Sequence, residues 1–152
     1  MLDLLEETSG KVVVFAVFQT DIQELERAIT EKFGQGSVAS YYGHTRQDER
    51  QKIIEKFQDP DSELRYFVSN PQTGGRGITL TEANTMIFYS NSYDLELRVQ
   101  AEDRIHRIGQ EHSCTYIDLV SPGTVDEQIL RNLLNKVKIS NEVLGEVRSW
   151  FQ

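Results

Sequence analysis

Apolar positions along this chain follow two periods, and the periods take turns. Val12-Val-Val-Phe-Ala-Val-Phe18 is apolar throughout, as a strand buried on both faces of a parallel sheet should be. Thr20-Asp-Ile-Gln23 then has capping-box spacing. Ile22, Leu25, Ile29 and Phe33 keep a helical period until Gly34-Gln-Gly36 stops it. Val38-Ala-Ser-Tyr-Tyr42 reads as a second strand. Gly43-His-Thr45 turns into a helix over about 46–58 that buries Ile53 or Ile54 and Phe57, with Thr45 as its cap, and Asp59-Pro60 ends it.

The alternation continues with a strand at 64–68, a glycine-rich loop from Ser69 to Thr81 and a strand at 85–89. A helix over roughly 94–107 and a strand at 115–120 follow. Thr124-Val-Asp-Glu127 is a further capping box, and Val125, Ile129, Leu133 and Val137 form one helical stripe. Residues 140–152 read as a last helix, with Trp150 and Phe151 packing on this domain or on a partner. Strand followed by helix, five times, predicts an α/β fold: an open, mostly parallel sheet with helices on both faces. Residues 1–10 read as an acidic connector and residues 11–152 as the domain.

Composition narrows the function. The 152 residues carry 16 basic and 24 acidic side chains, a net charge of −8. That balance argues against a free-standing nucleic-acid binder and leaves room for a local basic patch. The single cysteine, Cys114, excludes an internal disulfide framework and fits a reducing compartment. No apolar run reaches membrane-span length and no leader is evident, so a cytoplasmic protein with no membrane partner is expected. His44, His106, His112 and Cys114 share no metal-ligand spacing, and no metal site is expected.

The most informative stretch is Gln100-Ala-Glu-Asp-Arg-Ile-His-Arg-Ile-Gly-Gln110. Taken as a helix, it puts Gln100, Arg104 and Arg107 on one face, beside an apolar stripe of Leu97, Ala101, Ile105 and Ile108. Two arginines one turn apart suit phosphate oxygens, because guanidinium keeps its charge and binds them as a fork. Surface salt bridges to Glu102, Asp103 or Glu111 are the plainer alternative. Asn70-Pro-Gln-Thr-Gly-Gly-Arg-Gly77 leaves a strand at its carboxyl end, where open α/β sheets bind ligands. It lacks the Lys-Ser or Lys-Thr of a phosphate loop and the spacing of a dinucleotide fingerprint, so a tight surface turn remains an alternative. Gly43-His-Thr45 opens a helix and could meet an anion or be a plain turn.

In order, the strand ending in Phe18-Gln19, then Tyr42-Gly-His-Thr, Glu49-Arg50, Phe57, Ser69 with Thr73-Gly-Gly-Arg-Gly-Ile-Thr-Leu-Thr81, and the 100–110 motif resemble the second RecA-like lobe of Swi/Snf-type helicase-like ATPases. The resemblance covers nearly the whole chain. It implies that Arg104 and Arg107 reach the ATP γ-phosphate across a cleft between two lobes, with Gln100 the glutamine of the same motif. It implies that Gly75, Gly77 and Thr79 lie beside the nucleotide, although Thr79 stands where the family often has Asn or Asp. Gln19, Gly43, Thr45, Ser69 and Thr73 resemble positions that face the nucleic-acid backbone, contacts that carry little base information.

A phosphate loop and the acidic motif of the first lobe are absent. The resemblance therefore implies half an active site: ATP shared with an N-terminal RecA-like lobe, Mg²⁺ held by that lobe, DNA as the track, residues 1–10 leading in from the missing lobe, and no turnover by the chain alone. A non-catalytic nucleic-acid-binding or adaptor domain of the same fold is the alternative, and a nucleotide-binding α/β domain for a phosphorylated small molecule is a third reading. Asn91-Ser-Tyr-Asp-Leu-Glu-Leu-Arg98 is similar to variants in phage and prophage members, which points to a bacterial cell or phage-infected host.

Overall fold

A computed structural model describes residues 1–43, 45–72 and 78–150, the last nine of these through their backbone. The elements are α1 (Leu2–Glu7), β1 (Lys11–Phe15), α2 (Gln19–Phe33), β2 (Val38–Tyr41), α3 (Gln47–Gln58), β3 (Tyr66–Ser69), β4 (Ala83–Phe88), α4 (Leu95–Glu102), β5 (Thr115–Asp118) and α5 (Val125–Trp150). The five strands form one sheet in the order β2-β3-β1-β4-β5, and every pairing is parallel. Parallel neighbours need crossovers, which the helices supply.

The central strands explain the apolar runs. All residues of β1 and β3 are buried, because helices cover both faces of the sheet. On one face α1 and α2 contribute Leu5, Ile22, Leu25 and Ile29, packed on Val12, Val14, Tyr66, Val68 and Ile87. On the other, Phe57 of α3 and Ala101 of α4 pack with Val13, Phe15, Tyr41, Phe67, Met86 and Phe88. Residues 1–10 pack onto the domain. They include a helix, and its Leu5 is wholly buried in the core.

Helix ends follow local chemistry. Gly34 closes α2 at φ 97°, a left-handed backbone that favours glycine. Thr20 is not the cap of α2: the helix starts one residue before it, after Phe18, and has no side-chain cap bond. Arg46, not Thr45, precedes α3, again with no side-chain cap. Thr124 does cap α5, its hydroxyl accepting from the Asp126 N–H at 3.2 Å. The carboxyl end of α3 is capped by Lys11 of β1, whose Nζ donates to the Phe57 carbonyl at 2.7 Å and also to that of Asp59. A cation there meets the negative end of the helix dipole. Burial lowers the Lys11 pKa, with Glu82, Asp59 and Asp61 opposing.

The stripe expected on α5 is buried only in part. Ile129 and Leu133 are buried, while Val125 is 53% and Val137 40% exposed. The expected last helix is the continuation of α5 to Trp150. The packing expected of the Trp150 side chain and of Phe151 lies outside the described residues.

One core group lacks a partner. Tyr66 is wholly buried, and its hydroxyl makes no hydrogen bond among the described residues. Desolvation raises its pKa, as expected for a phenol held away from water. A buried hydroxyl without a partner costs about 1–3 kcal/mol. Tyr66→Phe is therefore expected to stabilise the domain by about 1 kcal/mol, a rise of roughly 2–4 °C in Tm for a chain of this size. Thermal unfolding of the two proteins side by side checks this, and an unchanged or lower Tm contradicts it.

Candidate nucleotide and nucleic-acid site

The arginine segment differs from its sequence-based expectation in one respect. Asp94 caps α4, its carboxylate accepting from the Glu96 and Leu97 N–H groups at 2.9 and 3.2 Å, but the helix stops at Glu102. Arg104 and Arg107 lie beyond it in a series of tight turns, so they do not continue one helical face from Gln100.

The reason lies in competing bonds. The Arg104 carbonyl accepts from the Leu80 N–H at 2.9 Å, outside the helix, and the Gln110 N–H reaches back to the Arg107 carbonyl at 3.0 Å. Gly109 turns the chain at φ 102°. Ile105 is wholly buried, whereas Ile108, expected on the same stripe, is 99% exposed. Gln110 locks the turn by donating to the carbonyls of Ala83, Thr81 and Ile105 at 2.8, 3.1 and 3.1 Å. This clamp was not apparent in the sequence, where Gln110 is only the last letter of a motif.

Within this frame Arg107 Nη1 donates to Thr79 Oγ1 at 3.3 Å, so two of the candidate residues touch. The Arg104 pKa is lowered, first by burial and then by the charge of Arg107, with Asp103 and Tyr41 opposing. A partly buried Arg104 beside the like charge of exposed Arg107 would gain from an anion nearby. Glu102, one of the carboxylates that could have offset them, is bonded to Arg98 instead, Nε to Oε1 at 2.6 Å. Gln100 sits on the exposed side of α4 and donates to Glu96 Oε1 at 3.0 Å. Gly75 and Gly77 lie outside the described residues, as do Thr73 and His44.

A second group of candidates gathers at the carboxyl edge of the sheet. Gln19, Gly43 and Ser69 belong to the ends of β1, β2 and β3 or the residues just beyond. Gln19 is exposed at the first turn of α2, and Gly43 is exposed in the turn after β2. Thr45 Oγ1 accepts from the Tyr42 N–H at 3.1 Å and so shapes that turn. Ser69 is wholly buried, and its hydroxyl donates to the Tyr41 carbonyl at 2.5 Å. It joins two strand ends rather than pointing outward.

Three further residues tie this edge together. Arg50 donates Nε to the Thr45 carbonyl at 2.9 Å and Nη2 to those of Gly43 and Tyr42 at 3.2 and 3.4 Å, and it lies over the Tyr41 ring. Asn70 donates to the Val17 carbonyl at 2.5 Å. Ser90 accepts from the Val17 N–H at 2.9 Å. In the sequence Arg50 appears only as part of the Glu49-Arg50 pair that carries the resemblance. In the fold it is the strut of the 42–45 turn. A groove of about 590 Å³ opens at the opposite, amino edge between Lys11, Glu82, Gln110 and Glu111, away from this carboxyl-edge group and bordered by the end of the arginine turn.

The all-parallel five-stranded sheet between helices is an α/β RecA-like fold. Residues 1–109 match the helicase conserved C-terminal domain, and the chain belongs to that family. It is 35% identical over 102 residues to the transcription regulatory protein SNF2 of Saccharomyces cerevisiae, covering 67% of this chain and 6% of that protein. It is 31% identical over 144 residues to the probable ATP-dependent DNA helicase CHR12 of Arabidopsis thaliana, covering 95% and 13%. With the ISWI chromatin-remodeling complex ATPase ISW1 of Saccharomyces cerevisiae it shares 28% identity over 149 residues, covering 98% and 13%. The crystal structure of the C-terminal part of the Fun30 ATPase domain superposes with a TM-score of 0.78 at 28% identity, over 87% of this chain and 43% of that one.

The chain thus spans at most 13% of these three relatives. They are yeast and plant proteins, and they overturn the expectation of a phage or bacterial origin and of a bacterial or phage-infected cytoplasm. That expectation rested on Asn91–Arg98. Asn91 and Arg98 in fact serve an ion cluster within the fold, a packing requirement that says nothing about lineage.

Proposed function

We propose that this chain is the second, C-terminal lobe of a DNA-dependent ATPase and translocase. The observation that carries the proposal is the arginine turn. Arg104 and Arg107 are held in one turn by bonds to Leu80 and Thr79 and by the Gln110 clamp, and the charge of Arg107 lowers the basicity of Arg104, in a chain of the helicase C-terminal family. In this reading both guanidinium groups stabilise negative charge developing on the ATP γ-phosphate, which is bound mainly by an N-terminal RecA-like lobe. Thr79 orients Arg107, and Gly75 and Gly77 approach the nucleotide. Mg²⁺ belongs to the first lobe, and residues 1–10 lead in from it.

DNA runs along the carboxyl edge. Gln19, Gly43, Thr45 and Thr73 face its backbone, while Ser69 and Arg50 set the height of the loops. Contacts of this kind hold the track and read little sequence.

The reading is tested by division of labour. The 152-residue chain alone is expected to fold and to show no ATP turnover. The two-lobed protein is expected to hydrolyse ATP and to do so faster when DNA is added. Turnover by the isolated chain, or a two-lobed protein indifferent to DNA, contradicts it.

A further inference from the structure

We propose that Arg98 is a positioning residue for the arginine turn, and this rests on the reading that Arg104 and Arg107 meet phosphate. The helix that delivers the turn is poorly anchored by apolar contact. α4 has eight residues, and Ala101 is its one fully buried side chain. A helix this short, with so little apolar surface against the sheet, is not held at a defined rotation by burial alone.

Arg98 supplies the missing anchor. Its guanidinium forks onto Asp118, Nη1 to Oδ1 at 2.5 Å and Nη2 to Oδ2 at 3.2 Å. Nε donates to Glu102 Oε1 at 2.6 Å, and Nη1 also donates to Asn91 Oδ1 at 2.9 Å. Asn91 Nδ2 closes the ring onto Asp118 Oδ1 at 2.7 Å. The guanidinium lies 3.5 Å from the centre of the Phe88 ring. Burial opposes its charge, and the bonds from Asp118 and Glu102 outweigh that cost, so its pKa lies above the ordinary arginine value.

The place of this cluster gives it leverage. Asp118 is the last residue of β5, Asn91 lies in the β4–α4 connection, and Glu102 is the last residue of α4, two before Arg104. Arg98 therefore cross-links the element that enters the arginine turn to the strand that follows it. A planar fork suits this task because it fixes direction as well as distance. Loss of the fork frees α4 to rotate, and a shift of about 1 Å at a group acting on a transition state can cost about 10²-fold in rate.

The test uses the two-lobed protein that carries this domain, with DNA-stimulated ATPase activity measured first on the wild type. Absence of that activity defeats the underlying ATPase reading, and the role assigned to Arg98 with it, before any variant is compared. Given activity, Arg98→Ala is expected to lower kcat at least tenfold while KM for ATP stays within about twofold, since the arginines act on the transition state. In an Arg107→Ala background the same change is expected to add little, because its effect passes through a group already removed. Arg98→Lys keeps the charge and one contact to Asp118. It is expected to fold and to show a smaller kcat loss with the same non-additivity, which covers an alanine variant that fails to fold.

In the 152-residue chain, amide exchange at Arg104 and Ile105 should quicken in Arg98→Lys while Val13 and Val14 of β1 stay protected. Normal kcat in the folded fraction, or full additivity with Arg107→Ala, overturns the proposal.

Discussion

In the two-lobed protein, Arg107→Ala is expected to cut ATP turnover about 10³-fold, at the lower end of what arginine fingers contribute to phosphoryl transfer. Arg107 is exposed, so the substitution should leave the melting temperature almost unchanged. Its guanidinium donates to Thr79 Oγ1 at 3.3 Å. Arg104→Ala should slow turnover to a similar degree and also cost some stability, because its side chain is partly buried beside Tyr41. Lysine should rescue neither fully, as it lacks the planar fork. The comparison needs ATPase rate and thermal unfolding on the same variants. A variant that loses stability while the folded fraction turns over normally would show that its arginine is structural.

The second large effect is expected from Phe57. It is wholly buried and is the one fully buried residue of α3. Its ring stacks at 5.3 Å on Phe67, and its carbonyl receives Lys11. Phe57→Ala should cost about 3–5 kcal/mol, a large share of the roughly 5–15 kcal/mol that holds such a domain together. α3 also carries Arg50, the strut of the 42–45 turn, so DNA affinity should fall with stability. Urea unfolding should show a midpoint well below that of the wild type. Phe57→Leu should recover much of the loss, since it refills part of the cavity. An alanine variant with a near-normal midpoint would mean that α3 is held by its ends and not by its core contact.

Much of this architecture was legible because each buried strand declares itself. Val12–Val14 and Tyr66–Val68 are apolar on both faces, and in the fold they are buried on both. The extent of α4 was not legible. Ile105 keeps helical spacing from Ala101, and the spacing alone cannot say that the Arg104 carbonyl will bond Leu80, a residue 24 positions earlier in the chain. The burial of Leu5 was not legible because Leu2, Leu4 and Leu5 in so short an acidic segment set no clear period. Its burial depends on α2 being there to receive it.

The candidate site divides in the same way. Arg104 and Arg107 stood out by residue type, while the helical face expected from their spacing ends at Glu102. Arg98 and Ser69 escaped notice, or were given the wrong neighbours, because their partners Asp118 and Tyr41 are close only after folding.

The position of β1 carries a consequence for how the chain reaches this state. β1 is the first strand of this domain in chain order and the centre of its sheet, with β3 on one side and β4 on the other. Phe15 pairs with Ser69 and with Phe88, so neither edge of β1 can be satisfied until residues far downstream exist. At ribosomal rates the wait for Ser69 is roughly 3–11 s. During it, the most apolar run in the protein has no strand beside it, and its unpaired edges can recruit another chain. Non-local parallel pairing is also slow to form once the chain is complete. The strand that makes the finished domain secure is thus its main hazard during synthesis. Yield on expression should depend more on what shields residues 12–18 in those seconds than on the stability of the folded lobe.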